Sequence, residues 1–321
     1  MNIVKFPSTS PRLEDLIKRA KEFAAAAKAP ATLKAYRNDW RDFDSWCFSQ
    51  NLSALPATAE TVALYITDRA SSLAVSTITR RLTAISTAHQ AAGFKDSPAS
   101  CHYFIVSETL KGIRRKLGTA QIGKAPLLSD DIRKILKSTT NDLRGLRDRA
   151  LILVGFAGAF RRSELVSIRV SDLSFSKEGV VIDLRVSKTD QEGAGRKVGI
   201  PFGEFRDTCP VRALKTWLAA AEISHGPIFR RINRYGFVGR YGLSADSVGK
   251  LVKQAAARAG IASDSLGAHS LRVGFVTQAA MNGVDERIIM QQTGHRDVAT
   301  LRRYIRTGQI FRQNAASKLG I

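Results

Sequence analysis

From Gly118 to Pro126 the sequence carries no apolar periodicity, two glycines and a proline, so the chain is expected to fold as two parts joined by a linker. Its 321 residues suffice for a hydrophobic core in each part. Before the break, apolar residues recur at helical spacing. Tyr36, Trp40, Phe43 and Cys47 follow one another at steps of four, three and four, which makes one face of a helix from Thr32 to Gln50. Leu13 to Lys28 is rich in Ala and Lys, good helix formers. Thr58 reads as the N-cap of a helix bearing Val62, Tyr65 and Ile66. Val75 to Ala92 presents Ile78, Leu82, Ile85 and His89 on one side, Gly93 stops it, and Ile105 to Leu117 closes the helical half.

After the break the pattern changes. Ser129 followed by two aspartates reads as a helix start. Leu146 to Ala159 is a strongly apolar helix, Val180 to Val186 alternates as a strand, and Lys197 to Ile200 reads as its partner across a polar hairpin tip at 188–195. Pro210 opens a helix through Ala221. Further helices are expected at Ala245 to Gly260, Ser270 to Asn282 and Asp285 to Gln292. The expected fold is mainly α with a small antiparallel β-sheet. The division is residues 1–117 (1–10 flexible), a linker at 118–126, a second domain at 127–307 and a tail at 308–321.

Charge narrows the partners. Fifty Lys plus Arg face 28 Asp plus Glu, for a net charge of +22. Such an excess repels itself in a compact chain, and a polyanion relieves it. The basic residues are spread over the sequence, which favours nucleic acid over an anionic membrane. No apolar run spans a bilayer, the start lacks a signal peptide's apolar core, and Cys47, Cys101 and Cys209 show no metal-ligand spacing. A reducing, cytoplasmic and nucleoid-associated location is expected.

Four dispersed segments carry the chemistry. They are Arg161-Arg162-Ser163-Glu164, Ser187-Lys188-Thr189, His269-Ser270-Leu271-Arg272 with Gly274, and Thr293-Gly294-His295 followed nine residues after His295 by Tyr304. Arginines suit the non-bridging oxygens of a phosphodiester, which they meet with two parallel hydrogen bonds. A histidine can add a third donor. A tyrosine phenol, with an ordinary pKa of about 10, is a poor nucleophile unless cations and a proton acceptor help it. The sequence has neither a Walker-type glycine loop nor a carboxylate cluster suited to two metal ions, so neither a metal nor another cofactor is expected.

The ordered set resembles the tyrosine recombinase (phage integrase) family, whose pattern is Arg, Lys, His-x-x-Arg, His or Trp, then Tyr. Ser45-Trp46-Cys47, Leu73 to Ile78 and His269 to Gly274 bring it nearest the Cre-like subgroup. The resemblance implies an all-helical core-binding domain followed by an α+β catalytic domain. It implies a nucleophile at Tyr304, phosphate donors at Arg161, Arg272 and His295, a proton acceptor at His269, a general acid at Lys188 and a supporting role for Glu164. It also implies a homo-tetramer on paired duplex sites with inverted-repeat half-sites, and a tail whose Phe311 packs on a neighbouring protomer. Candidate DNA contacts are Lys34 and Arg37 on one helix, Thr77, Arg80 and Arg81 on another, Lys124 in the linker, and Arg230 and Arg231 near Tyr235 and Phe237. Two other readings fit parts of the pattern. One is a type IB topoisomerase using the same chemistry as a monomer, and the other is a non-catalytic architectural DNA-binding protein.

Overall fold

The computed structural model describes residues 11–94, 98, 103–119, 123–184, 195–295, 298, 301–302, 304–305 and 319. The chain forms two compact units, Met1–Gln121 and Ile122–Ile321. The first is helical among the described residues: α1 (Pro11–Ala26), α2 (Pro30–Ser49), α3 (Ala59–Arg69), α4 (Val75–Ala91) and α5 (Phe104–Leu117). The apolar stripes anticipated in the sequence meet in its core, where Phe43 and Cys47 of α2 pack with Val62, Tyr65 and Ile66 of α3 and Ile78, Leu82 and Ile85 of α4. Phe43 and Trp46 each meet the Tyr65 ring edge-on, with centroids 4.9 and 5.3 Å apart. Thr58 caps α3 by accepting from the Thr61 amide.

Buried polar groups fix how these helices register. The His89 Nε2 accepts from the Ala57 amide at 3.0 Å, which requires Nδ1 to carry the proton it donates to the Ile85 carbonyl at 2.9 Å. Asp39 of α2, 4% exposed at its side chain, accepts from Nε and Nη2 of Arg80 at 2.7 and 2.9 Å. Asp42, one turn on, pairs with Arg81 and with Arg69 and accepts from the Tyr65 hydroxyl. Arg81 was expected on a groove-facing surface. Its side chain is only 12% exposed and is committed to two aspartates of its own unit, because α4 turns this edge towards α2. Arg80 is half exposed but likewise bound to Asp39.

The second unit runs α6 (Ser129–Lys137), α7 (Leu143–Ala157), α8 (Arg162–Ser167), β1 (Leu173–Phe175), β2 (Gly179–Leu184), β3 (Arg196–Pro201), α9 (Pro210–Ala220), β4 (Arg230–Ile232), β5 (Val238–Gly242), α10 (Ala245–Arg258), α11 (Ala268–Met281) and α12 (Glu286–Thr293). Strands β1, β2 and β3 form an antiparallel sheet in that order, with Ile182 opposite Val198 and Leu184 opposite Arg196. Strand β1 was not expected, since three residues are too few to show alternation. The inward residues Val180, Ile182, Leu184, Val198 and Ile200 join one core with α7 and α9. There the buried Trp217 satisfies its indole N–H on the Ile228 carbonyl at 2.7 Å. Strands β4 and β5 form a separate hairpin.

Two starts differ from expectation by a residue or two. Leu128, not Ser129, caps α6, and the Asp131 carboxylate reaches back to the Leu128 amide at 3.0 Å. Helix α11 begins before Ser270, so His269 lies in its first turn. No helix among the described residues is long and apolar enough to cross a membrane.

The Asp39 pair predicts a stability contrast. Asp39→Ala strands two arginines and should cost about 2 kcal/mol by loss of charged, largely buried hydrogen bonds. Exposed Lys34→Ala should change stability by less than about 0.5 kcal/mol. Urea unfolding of the two variants measures both.

Candidate active site

The site is assembled by three chain turns around one carboxylate. Helix α7 ends at Ala157, and two residues later Ala159 adopts φ 49°, a left-handed conformation that costs an alanine about 1 kcal/mol. The next turn starts α8 with Arg161 at its N-cap. Glu164, buried with a side chain 1% exposed, folds back on that cap. Its Oε2 accepts from the Arg161 amide at 2.9 Å and its Oε1 from Arg161 Nη1 at 2.6 Å. Arg161 is thus held rigidly, while its Nη2 reaches only a 3.5 Å contact with the Gly294 carbonyl.

Arg196, at the start of β3, is the second cation on Glu164, with Nη2 3.3 Å from Oε2. Its Nη1 donates to the Gln292 carbonyl at 2.7 Å. The sequence reading missed it. A basic residue at a strand start carries no pattern of its own, and its place is set by the register opposite Leu184. Gly294 makes room for it. This residue ends α12 at φ 64°, and a Cβ there would sit 2.9 Å from Arg196 Nε.

Arg272 is 2% exposed, one turn after His269 on α11. Its Nη1 donates to the carbonyls of Ala159 and Thr293, both at 2.7 Å, and its Nη2 lies 3.1 Å from His295 Nε2. The strained Ala159 therefore presents its carbonyl to the deepest cation of the site. Gly274, two residues on, is needed for another reason: a Cβ there would lie 1.9 Å from the Leu127 carbonyl oxygen, where the entering chain crosses α11. Tyr304 packs with Ile305 against a cluster of Val276, Ala280, Ile289 and Leu301, which brings it to the site of its own chain. Its hydroxyl lies 3.2 Å from His269 Nε2.

The electrostatics follow from the burial of so many cations. Burial and the neighbouring Arg161 press the Arg272 guanidinium down to about 9, against the pull of Glu164. Burial, then Arg272 and Arg161, also lower His269. Burial, then the same two arginines with His269 and Arg196, drive His295 down to about 3. Both imidazoles are therefore neutral at pH 7. A neutral His269 can accept the Tyr304 proton. His295 turns a bare Nε2 to Arg272, since a guanidinium only donates.

The structure thus brings together Arg161, Glu164, His269, Arg272, His295 and Tyr304. Lys188 and Phe311 lie outside the described residues. Of the candidate DNA contacts, Lys34 and Arg37 are exposed on α2 and line a shallow cleft of about 410 Å³ with Arg41, which the sequence reading passed over. Thr77 is half-buried. The Lys124 side chain runs beside Gly267, two residues before His269. Arg231 is exposed, and Arg230 donates to the carbonyls of Pro227 and His225 in its own turn.

Comparison with known proteins is decisive at this point. The pattern that describes the phage integrase family matches residues 126–309. An integrase/recombinase xerD homolog of Selenomonas ruminantium is 43% identical over 307 residues, covering 95% of this chain and 90% of that protein. The chain belongs to the phage integrase family. A tyrosine recombinase XerD of Staphylococcus saprophyticus is 27% identical over 282 residues, 85% of this chain and 86% of its own. Both relatives of this integrase carry Xer names, whereas the sequence motifs had suggested the Cre-like subgroup. Its fold is shared with a XerH site-specific recombinase bound to a palindromic difH substrate (TM-score 0.60, 20% identity, 83% of this chain and 73% of that one). It is shared too with a lambda integrase dimer bound to a core site (TM-score 0.58, 16% identity, 90% and 93%).

The lowered histidines predict a pH dependence of stability. The unfolded chain binds protons on His269 and His295 near the ordinary value of about 6.5, while the folded chain binds them at lower pH, His295 only near 3. Stability is therefore full above pH 6.5 and declines as pH falls from there towards 3. His295→Asn should lose less thermal stability than the parent between pH 7 and pH 5, measured by its melting temperature in matched buffers.

Proposed function

We propose that this protein is a site-specific DNA recombinase that cleaves and rejoins strands through a 3′-phosphotyrosine at Tyr304. The observation that carries the reading is the 3.2 Å contact between the Tyr304 hydroxyl and His269, beside a pocket of arginines. In the proposed reaction Tyr304 Oη attacks the scissile phosphorus and its proton passes to His269 Nε2. The bond from phosphorus to the 5′ oxygen breaks, and that oxygen takes a proton from a general acid, a role we assign to Lys188. Arg161 and Arg272 stabilise the charge that builds on the non-bridging oxygens. Glu164 holds Arg161 in place, and Arg196 pairs with the same carboxylate. The new ester conserves the energy of the broken one, so attack by a free 5′ hydroxyl reverses the steps onto a new strand without ATP.

Double-stranded DNA is the partner that the net charge of +22 and the exposed basic face of α2 suit. We further propose assembly of four protomers on two paired sites with inverted-repeat half-sites, and a cytoplasmic, nucleoid-associated location. We also propose residues 118–126 as the interdomain linker, a reading that the division into units at Gln121 supports, and residues 308–321 as a tail that docks on a neighbouring protomer.

Nicked duplex carrying the target site should trap a covalent protein–DNA adduct. Tyr304→Phe should abolish it and leave DNA affinity within about twofold, because phenol oxygen chemistry and binding are separate. An undiminished adduct in that variant would place the nucleophile elsewhere. Relaxation of site-free plasmid by the protein would favour the topoisomerase reading instead. Arg37→Ala should weaken binding and reduce the slope of log affinity against log salt by about 1, as for one lost phosphate contact.

A further inference from the structure

Thr293 closes a ring of hydrogen bonds inside the site. Its carbonyl accepts from Arg272 Nη1 at 2.7 Å, Arg272 Nη2 lies 3.1 Å from His295 Nε2, and His295 Nδ1 lies 2.7 Å from the Thr293 hydroxyl. The hydroxyl is also 2.7 Å from the Ile289 carbonyl one turn back on α12. Thr293 is fully buried. The protons in this ring admit one arrangement. Arg272 can only donate, so His295 Nε2 is bare. A neutral imidazole then carries its proton on Nδ1, and the Thr293 oxygen accepts it. The single hydroxyl proton of Thr293 is left for Ile289, which can only accept.

We infer that Thr293 is a positioning residue for the strand-transfer reaction, fixing His295 as the tautomer protonated at Nδ1 and bare at Nε2. The inference rests on the recombinase reading for its catalytic consequence. When a scissile phosphate binds beside Arg272 and His295, its negative charge offsets the neighbouring guanidiniums. His295 then takes one proton from solvent at Nε2 and donates it to a non-bridging oxygen. Nδ1–H stays on the Thr293 hydroxyl in both states, so the ring neither flips nor exchanges tautomers. Without that hydroxyl, Nδ1–H faces a buried gap and the imidazole loses its hold.

Two measurements test this. In the full-length protein labelled with ¹⁵N-histidine and free of DNA at pH 7, His295, assigned by its absence in His295→Asn, should show a protonated Nδ1 and an unprotonated Nε2. Single-turnover cleavage of nicked duplex should slow about 10- to 100-fold in Thr293→Val, the range seen when a partner orienting a histidine is lost. Thr293→Ser should restore it to within about threefold, with DNA affinity unchanged in both. A His295 protonated at Nε2 in the parent protein overturns the inference, as does a well-folded Thr293→Val that cleaves at the parent rate. Should Thr293→Val fail to fold, the spectrum of the parent protein still decides. A parent protein that forms no adduct would count against the recombinase reading, while the tautomer stands or falls on the spectrum alone.

Discussion

One buried carboxylate among several guanidiniums governs this molecule's site. Glu164 is shared by Arg161 and Arg196, and its field also reaches Arg272. Three positive groups against one negative group leave the described pocket short of negative charge, and burial makes that shortage costly. Burial first, and the neighbouring arginines second, lower Arg272, Arg196 and both histidines. A phosphodiester anion supplies the missing charge, and a pentavalent phosphorane supplies more. The pocket is therefore better matched to the transition state than to its own empty form.

Backbone geometry holds this unfavourable cluster together. The carbonyls of Ala159, Thr293 and Gln292 take the guanidinium hydrogens that Glu164 cannot. Each carbonyl stands at a chain turn: beyond α7 for Ala159, and in the last turn of α12 for the other two. Gly294 and Gly274 are two places where a side chain would push this scaffold apart, the first against Arg196 and the second against Leu127. Tyr304, the proposed nucleophile, is tied to α11 and α12 by packing with Val276, Ala280 and Ile289, and its hydroxyl meets His269.

Much of this was legible in the sequence, for identifiable reasons. Helical stripes such as Tyr36, Trp40, Phe43 and Cys47 repeat over several turns, so α2 and its neighbours could be anticipated. The residues His269, Arg272, His295 and Tyr304 stood out because their order and spacing matter jointly. What escaped was decided by pairing across the fold. Arg196 joins the site through its strand register, and β1 is too short to show a period. Arg81 looked free because its partners, Asp39 and Asp42, lie about forty residues away in sequence. The tautomer of His295 could not be read from sequence either, as it is set by the Arg272 guanidinium on α11.

Charge balance at the phosphate can be measured directly. Nicked duplex is prepared with a neutral methylphosphonate at the scissile position and, separately, with the natural phosphodiester. Covalent-adduct formation is then compared for the parent protein and Arg272→Ala. If the arginines act by neutralising the anion, Arg272→Ala loses about 100-fold or more on the phosphodiester but far less on the methylphosphonate. An equal loss on both substrates would contradict the account, because it would make Arg272 a structural strut rather than the counter-charge of the reacting group.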